Sequence, residues 1–158
     1  MDPVSGLSLA CNIIQLVETA IKCGTAVIEV YNSVDGLPNA HKTVEREAYG
    51  IADVVGHLRD HQAQLQSPGF DSEIRNLTSR IVGQCDELRR ILDECRPRKR
   101  GNVFSAGRAT LKSLGKTNDI QRLQRELDFS RKRLNLLITI RTQYVAPSRE
   151  IEKNSLSN

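Results

Sequence analysis

Tryptophan is absent from this sequence of 158 residues, aromatic residues make up 4% of it, and it holds one methionine. So thin an aromatic complement leaves little for nucleotide bases to stack on, and no helix-turn-helix or zinc-finger pattern offsets it, which disfavours nucleic acid as a partner. Any apolar run of membrane-spanning length is also missing. The longest uncharged stretch, residues 3–17, is fifteen residues where about 20 are needed, and Glu18 and Lys22 interrupt its extension. The four cysteines, Cys11, Cys23, Cys85 and Cys95, form no CxxC pair and no zinc-ligand spacing. Each lies in an apolar or helix-like pattern, which reads as buried thiols in a reducing compartment. The N-terminus carries Asp2 where a signal peptide needs positive charge, and no small-residue cleavage site is found after it. A cytoplasmic protein is expected, and in that setting the sequon Asn76-Leu77-Thr78 has no role.

What the sequence does have is helical periodicity over one domain's length. Asp2 and Pro3 suit an N-cap and the first helical position, and the helix they start is expected to run to about Ser33. Its polar residues, Ser8, Asn12, Gln15, Glu18, Lys22, Thr25, Glu29 and Asn32, step by three and four into one narrow stripe. The rest of its circumference is largely apolar, so it belongs in the middle of a bundle or at a bilayer. Glu18 and Lys22 are spaced for an i,i+4 ion pair.

A "VDGLPN" turn leads to a second helix over residues 40–66, with Val44, Ala48, Ile51, Val55, Leu58 and Leu65 on one face. "SPGFDS" breaks it, and Asp71 or Ser72 caps a third helix through Cys95, with the ladder Ile74, Leu77, Ile81, Cys85, Leu88 and Leu92. A basic loop with a short helix around residues 104–114 comes next. Asn118 or Asp119 then caps a last helix ending near Tyr144, with Ile120, Leu123, Leu127, Leu134, Leu137 and Ile138 inward. The fold class is all-α: a helical bundle of four long helices and one short one over residues 1–146, with a disordered polar tail over 147–158.

The net charge of +4 is unevenly spread: residues 89–116 hold nine Lys or Arg against Asp93 and Glu94. The run Arg96, Arg98, Lys99 and Arg100 fits a solvated loop or anionic lipid head groups better than nucleic acid. "GKT" at residues 115–117 lacks the phosphate-loop glycine, Thr110 standing in its place, and lacks a preceding strand, so it is no nucleotide site. Asp53, His57 and His61 share one helix face, but "HLRDH" has no third strong ligand and no catalytic glutamate, and reads as a solvated face. No constellation for nucleophilic or acid–base catalysis stands out, so no enzyme, cofactor or metal is expected.

Four stretches, "MDPVSGLSLACNIIQLVETAIK", "SVDGLP", "CDELRRILDECRPR" and "LQRELDFSRKRLNLLITIRT", resemble in order the SesA-type N-terminal domain that precedes the NACHT module in fungal NOD-like (STAND) receptors. They are similar, more loosely, to HeLo and HeLo-like domains. The resemblance implies a signalling or execution module in non-self recognition and programmed cell death, with a bundle similar to that of mixed-lineage-kinase-like pseudokinases. In the HeLo relatives the N-terminal hydrophobic helix targets membrane. By position that role falls on Val4, Leu7, Leu9, Ile13, Ile14, Leu16 and Val17, with the basic run as a head-group contact proposed from charge alone.

The partners implied are other helical domains, a second copy on activation, anionic lipid, and a NACHT module in cis if the chain is a piece of a receptor. No NACHT module is present within the chain, and the tail "PSREIEKNSLSN" shows no amyloid-like signalling repeat. The alternative to membrane targeting is a passive helical adaptor that never touches lipid.

Overall fold

Pro3 opens the first helix, where its missing N–H leaves no helical hydrogen bond unmade. The structure is a computed structural model and describes residues 3–33, 40–66, 72–96 and 115–145. Within them lie four α-helices: α1 (Pro3–Asn32), α2 (Ala40–Leu65), α3 (Ser72–Glu94) and α4 (Lys116–Val145). Among the described residues there is no strand. The short helix expected around residues 104–114 and the tail 147–158 lie outside the described residues.

α1 packs against all three other helices. Contact pairs give the directions. Arg131 meets Glu18 and Gln124 meets Ile21, so α1 and α4 run antiparallel. Arg59 meets Asp86 and Gln62 meets Ser79, so α2 and α3 do too. Tyr31 reaches Cys95 at the far end, so α1 and α3 point the same way. The result is an up-down-up-down bundle with α1 enclosed by the rest.

The apolar ladders of α2 and α3 are buried throughout, and that of α4 is buried except for a half-exposed Leu137. Along α1, Ser8, Asn12, Gln15, Lys22, Thr25, Glu29 and Asn32 are exposed and Glu18 is half-exposed, so the narrow polar stripe is the one that meets solvent. Ile13, Val17 and Val27 have no exposed surface. Burying side chains of this size is worth roughly 1.5–3 kcal/mol each before entropy is subtracted.

Two expectations at the ends and surfaces are corrected. α4 begins at Lys116, so Asn118 and Asp119 sit inside its first turn and do not cap it. Gly115, at φ +65, turns the chain into the helix, and the Asp119 N–H donates to the Gly115 carbonyl at 3.1 Å. A carboxylate in that first turn still interacts favourably with the helix dipole. Cys11 is exposed, whereas Cys23, Cys85 and Cys95 are buried. Cys11 lies one residue before Asn12 of the polar stripe, and the stripe's solvent-facing edge extends over it.

Gly24 permits a close approach of α1 to α4. A Cβ at this position would stand 3.1 Å from Gln124 Nε2 and 3.2 Å from Ile120 Cγ2. Gly24→Leu should lower stability by about 1–3 kcal/mol through overpacking. Gly83 is exposed within α3 with nothing near a Cβ position, so Gly83→Ala should raise it by about 0.5–1 kcal/mol. Urea midpoints compared with wild type check both signs; a stabilised Gly24→Leu would refute the close approach.

Candidate functional site

The α1 residues singled out from the sequence fall into two groups. Leu9, Ile13 and Val17 are buried, while Leu7, Ile14 and Leu16 are half-buried and packed against the core. Val4 belongs to α1, but its side chain lies outside the described residues. The candidate face is thus interior in this state, held by contact with the other helices.

How α1 is fastened changes along its length. From residue 18 onward it is tied by polar contacts. Glu18 accepts a hydrogen bond from Arg131 at 2.7 Å, and Arg131 also donates to Asp128 at 2.7 Å. Lys132 closes the cluster on Asp128 at 2.7 Å. Gln124 donates to the Ile21 carbonyl at 2.9 Å and to Thr25 Oγ1 at 2.8 Å. Tyr31 donates to the Cys95 carbonyl at 3.0 Å, satisfying an acceptor at the end of α3 that the helix itself leaves open. N-terminal to Glu18, the described side chains of α1 make no hydrogen bond or ion pair to another helix. Among the described side chains, that part is held by apolar burial alone.

The expected Glu18–Lys22 pair gives way to Glu18–Arg131. Periodicity identifies Glu18 as surface-facing but cannot show that α4 brings a guanidinium to the same edge. Lys132 and Arg131 together hold the Asp128 carboxyl below the usual aspartate range.

Of the basic run, Arg96 is described, and Arg98, Lys99 and Arg100 lie outside the described residues. Arg96 is committed to the protein. Its guanidinium sits 4.5 Å from the centre of the Tyr49 ring, donates to the Tyr49 hydroxyl at 2.9 Å, and pairs with Asp93 and Glu45. It stands beside Cys95, at the end of the bundle opposite the start of α1. The structure therefore does not bring Arg96 together with the apolar face of α1.

Inner faces also carry polar groups that periodicity does not reveal. Buried Ser130 donates to Gln84 Oε1 at 3.1 Å, and Gln84 Nε2 donates to Glu126 at 3.2 Å. Arg122 bridges Glu126 and Glu87, continuing the network across α3 and α4. Such a ladder fixes helix register, because sliding one helix would leave buried groups unpaired. His61 Nδ1 and Thr78 Oγ1 are buried without a hydrogen-bond partner among the described residues. Asp53 and His57 are exposed, and no group of three or more His, Cys, Asp or Glu among the described residues is placed to hold a metal.

A surface depression of about 400 Å³ is lined by Asp86, Arg89, Arg90, Asp93 and Glu94. Asp86 binds Arg59, Asp93 binds Arg89 and Arg96, and Glu94 binds Lys116. These charges are largely spent on holding helices together, and Lys116 keeps the Glu94 carboxyl low. The three interior thiols are pushed the other way. Burial, with a hydrogen bond to Glu47, raises Cys23 to about 12; burial raises Cys85 to about 12 and Cys95 to about 11. Thiols held protonated are poor nucleophiles. No helix among the described residues is long and apolar enough to cross a membrane.

A family model described as SesA, the N-terminal domain on NACHT NTPases and P-loop NTPases, matches residues 10–134. No curated protein and no solved structure matches the chain.

Two outcomes test the chemistry of the site. In the folded protein a chromogenic disulfide reagent at about pH 8 should titrate one thiol, Cys11, with the other three reacting only on unfolding; rapid reaction of all four would refute the burial. Asp128 is lowered in the folded state, so its contribution to stability is full above the ordinary aspartate range and is lost as pH falls through the lowered value. The difference in urea midpoint between wild type and Asp128→Asn should be steady from about pH 8 to about pH 5 and shrink below about pH 4.

Proposed function

The chain belongs to the SesA family of N-terminal domains on NACHT and P-loop NTPases, and we propose that it is a non-enzymatic effector domain that targets membrane through α1. As an N-terminal domain of such NTPases it is a signalling or effector module. In this reading residues 1–146 act as one unit in a fungal NOD-like receptor system that promotes cell death in non-self recognition. A NACHT module in cis or a second copy supplies the trigger, and residues 147–158 serve as the linker between the bundle and such a module.

The observation that carries the reading is the uneven fastening of α1. Its first half lies in an uncharged stretch, belongs to a helix that packs against all three others, and is retained by burial with no polar tie among the described side chains until Glu18. Apolar burial is lost without penalty when another apolar phase replaces it, whereas an ion pair or an amide hydrogen bond has no equivalent partner in hydrocarbon. A bilayer can therefore take over the contacts of Leu9, Ile13 and Val17. Fifteen uncharged residues are too few to span a bilayer as a helix but suffice for an interfacial one. Opening requires the bilayer itself, a partner or assembly to supply energy comparable to that burial.

Sedimentation with phosphatidylserine vesicles and with neutral vesicles tests this. Wild type should bind the anionic vesicles, and a variant lacking residues 1–17, shown by circular dichroism to remain helical, should lose most of that binding. Arg131→Glu, which breaks the tie at Glu18 and Asp128, should bind more than wild type. Absence of binding in both wild type and Arg131→Glu would refute membrane targeting and leave an adaptor that joins helical domains.

A further inference from the structure

Four large hydrophobic residues are exposed among the described residues: Tyr49 at 56%, Phe129 at 61%, Leu136 at 58% and Ile140 at 42%. Tyr49 lies under Arg96 on α2 and is accounted for. The other three occupy one helix, α4, at spacings of seven and four, which places them on a single line along its outer face. The inward ladder of α4 is already supplied by Ile120, Leu123, Leu127, Leu134 and Ile138. These three add nothing to the core, and water contact with all of them is a standing cost.

Cations border the line. Arg125 and Lys132 fall on one side and Arg133 on the other at helical spacing, all exposed. Lys132 leans to Asp128 and Arg133 to Glu73 on α3, while Arg125 has no ion pair among the described residues. The arrangement is a convex ridge, one helix wide, with an apolar crest and long cationic side chains at its shoulders. Such a ridge suits an anionic bilayer surface: the crest enters the acyl boundary, and the shoulders extend to the head groups. A protein partner would have to bring a groove; a bilayer needs none.

We infer that the outer face of α4, with Phe129, Leu136 and Ile140 as its crest and Arg125, Lys132 and Arg133 at its shoulders, is the surface on which the closed bundle lands on anionic membrane. This rests on the membrane reading above and adds to it a contact that needs no opening. The register supports the pairing of the two events. With Glu18 beside Arg131 and the helices antiparallel, Leu136 and Ile140 lie at the level of the loosely fastened first half of α1. Landing on this face sets that segment one helix away from the bilayer.

The absence of tryptophan makes a direct test possible, because Phe129→Trp introduces a lone indole reporter on an exposed site. Its emission should shift to the blue with phosphatidylserine vesicles and stay unchanged with neutral ones, whereas Tyr49→Trp on α2 should not respond. The triple variant Phe129→Glu, Leu136→Glu, Ile140→Glu changes only exposed positions and should retain wild-type helicity. Its vesicle binding should fall about tenfold or more; a triple serine variant serves the same purpose if the charges perturb folding. If wild type binds but the reporter is silent and the triple variant binds equally well, the landing face is wrong and targeting by α1 stands. Lack of vesicle binding by wild type overturns the landing face, and lack of it in Arg131→Glu as well overturns targeting by α1. If the triple variant instead turns a dimer into a monomer in sedimentation equilibrium, the ridge is an interface between copies and the inference falls.

Discussion

Everything in this bundle depends on one incompatibility: α1 is too apolar to lie on a surface. A helix whose polar residues fill only one narrow stripe must be covered over most of its circumference, and three partners are needed to do it. α2, α3 and α4 each bring an apolar ladder that faces inward, which suits them to be walls. The up-down-up-down topology then places those walls around α1 with antiparallel neighbours. The core runs continuously from Leu9 to Val30 along α1 and meets ladder residues from every other helix.

Helix identity and inward faces are legible in the sequence because both are properties of spacing within one segment. The ladder Ile74, Leu77, Ile81, Cys85, Leu88 and Leu92 can be written down from α3 alone, and all six are buried. Partnerships are not legible. Glu18 takes Arg131, from a position far along the chain, in preference to the neighbour four residues on, because helix packing sets that distance and periodicity does not. The same limit hides the Gln84–Ser130 bond, since a polar residue on an inner face looks like an error in the pattern until its partner is known. Cys11 defies the expectation of burial because a thiol gives little indication of side at the edge of an apolar stripe.

The candidate site divides in the same way. Which α1 residues are apolar enough to meet lipid is readable from the first seventeen positions. That the polar ties begin only at Glu18 is not, because each tie depends on α3 or α4. The outer ridge of α4 has a readable signal, since Phe129, Leu136 and Ile140 repeat at helical spacing on a helix whose inward ladder is already complete. A second apolar stripe on a helix whose core-facing side is already filled adds nothing to the inward ladder. It marks a surface made to meet something else.

The side-chain-free contact at Gly24 has a mechanical meaning. There α1 and α4 stand too close for a side chain, with Gln124 bound across the gap to the Ile21 carbonyl. From Glu18, the first polar tie, to the first helical residue is about 22 Å at 1.5 Å per residue, so about four turns of α1 extend past the last described bond to another helix.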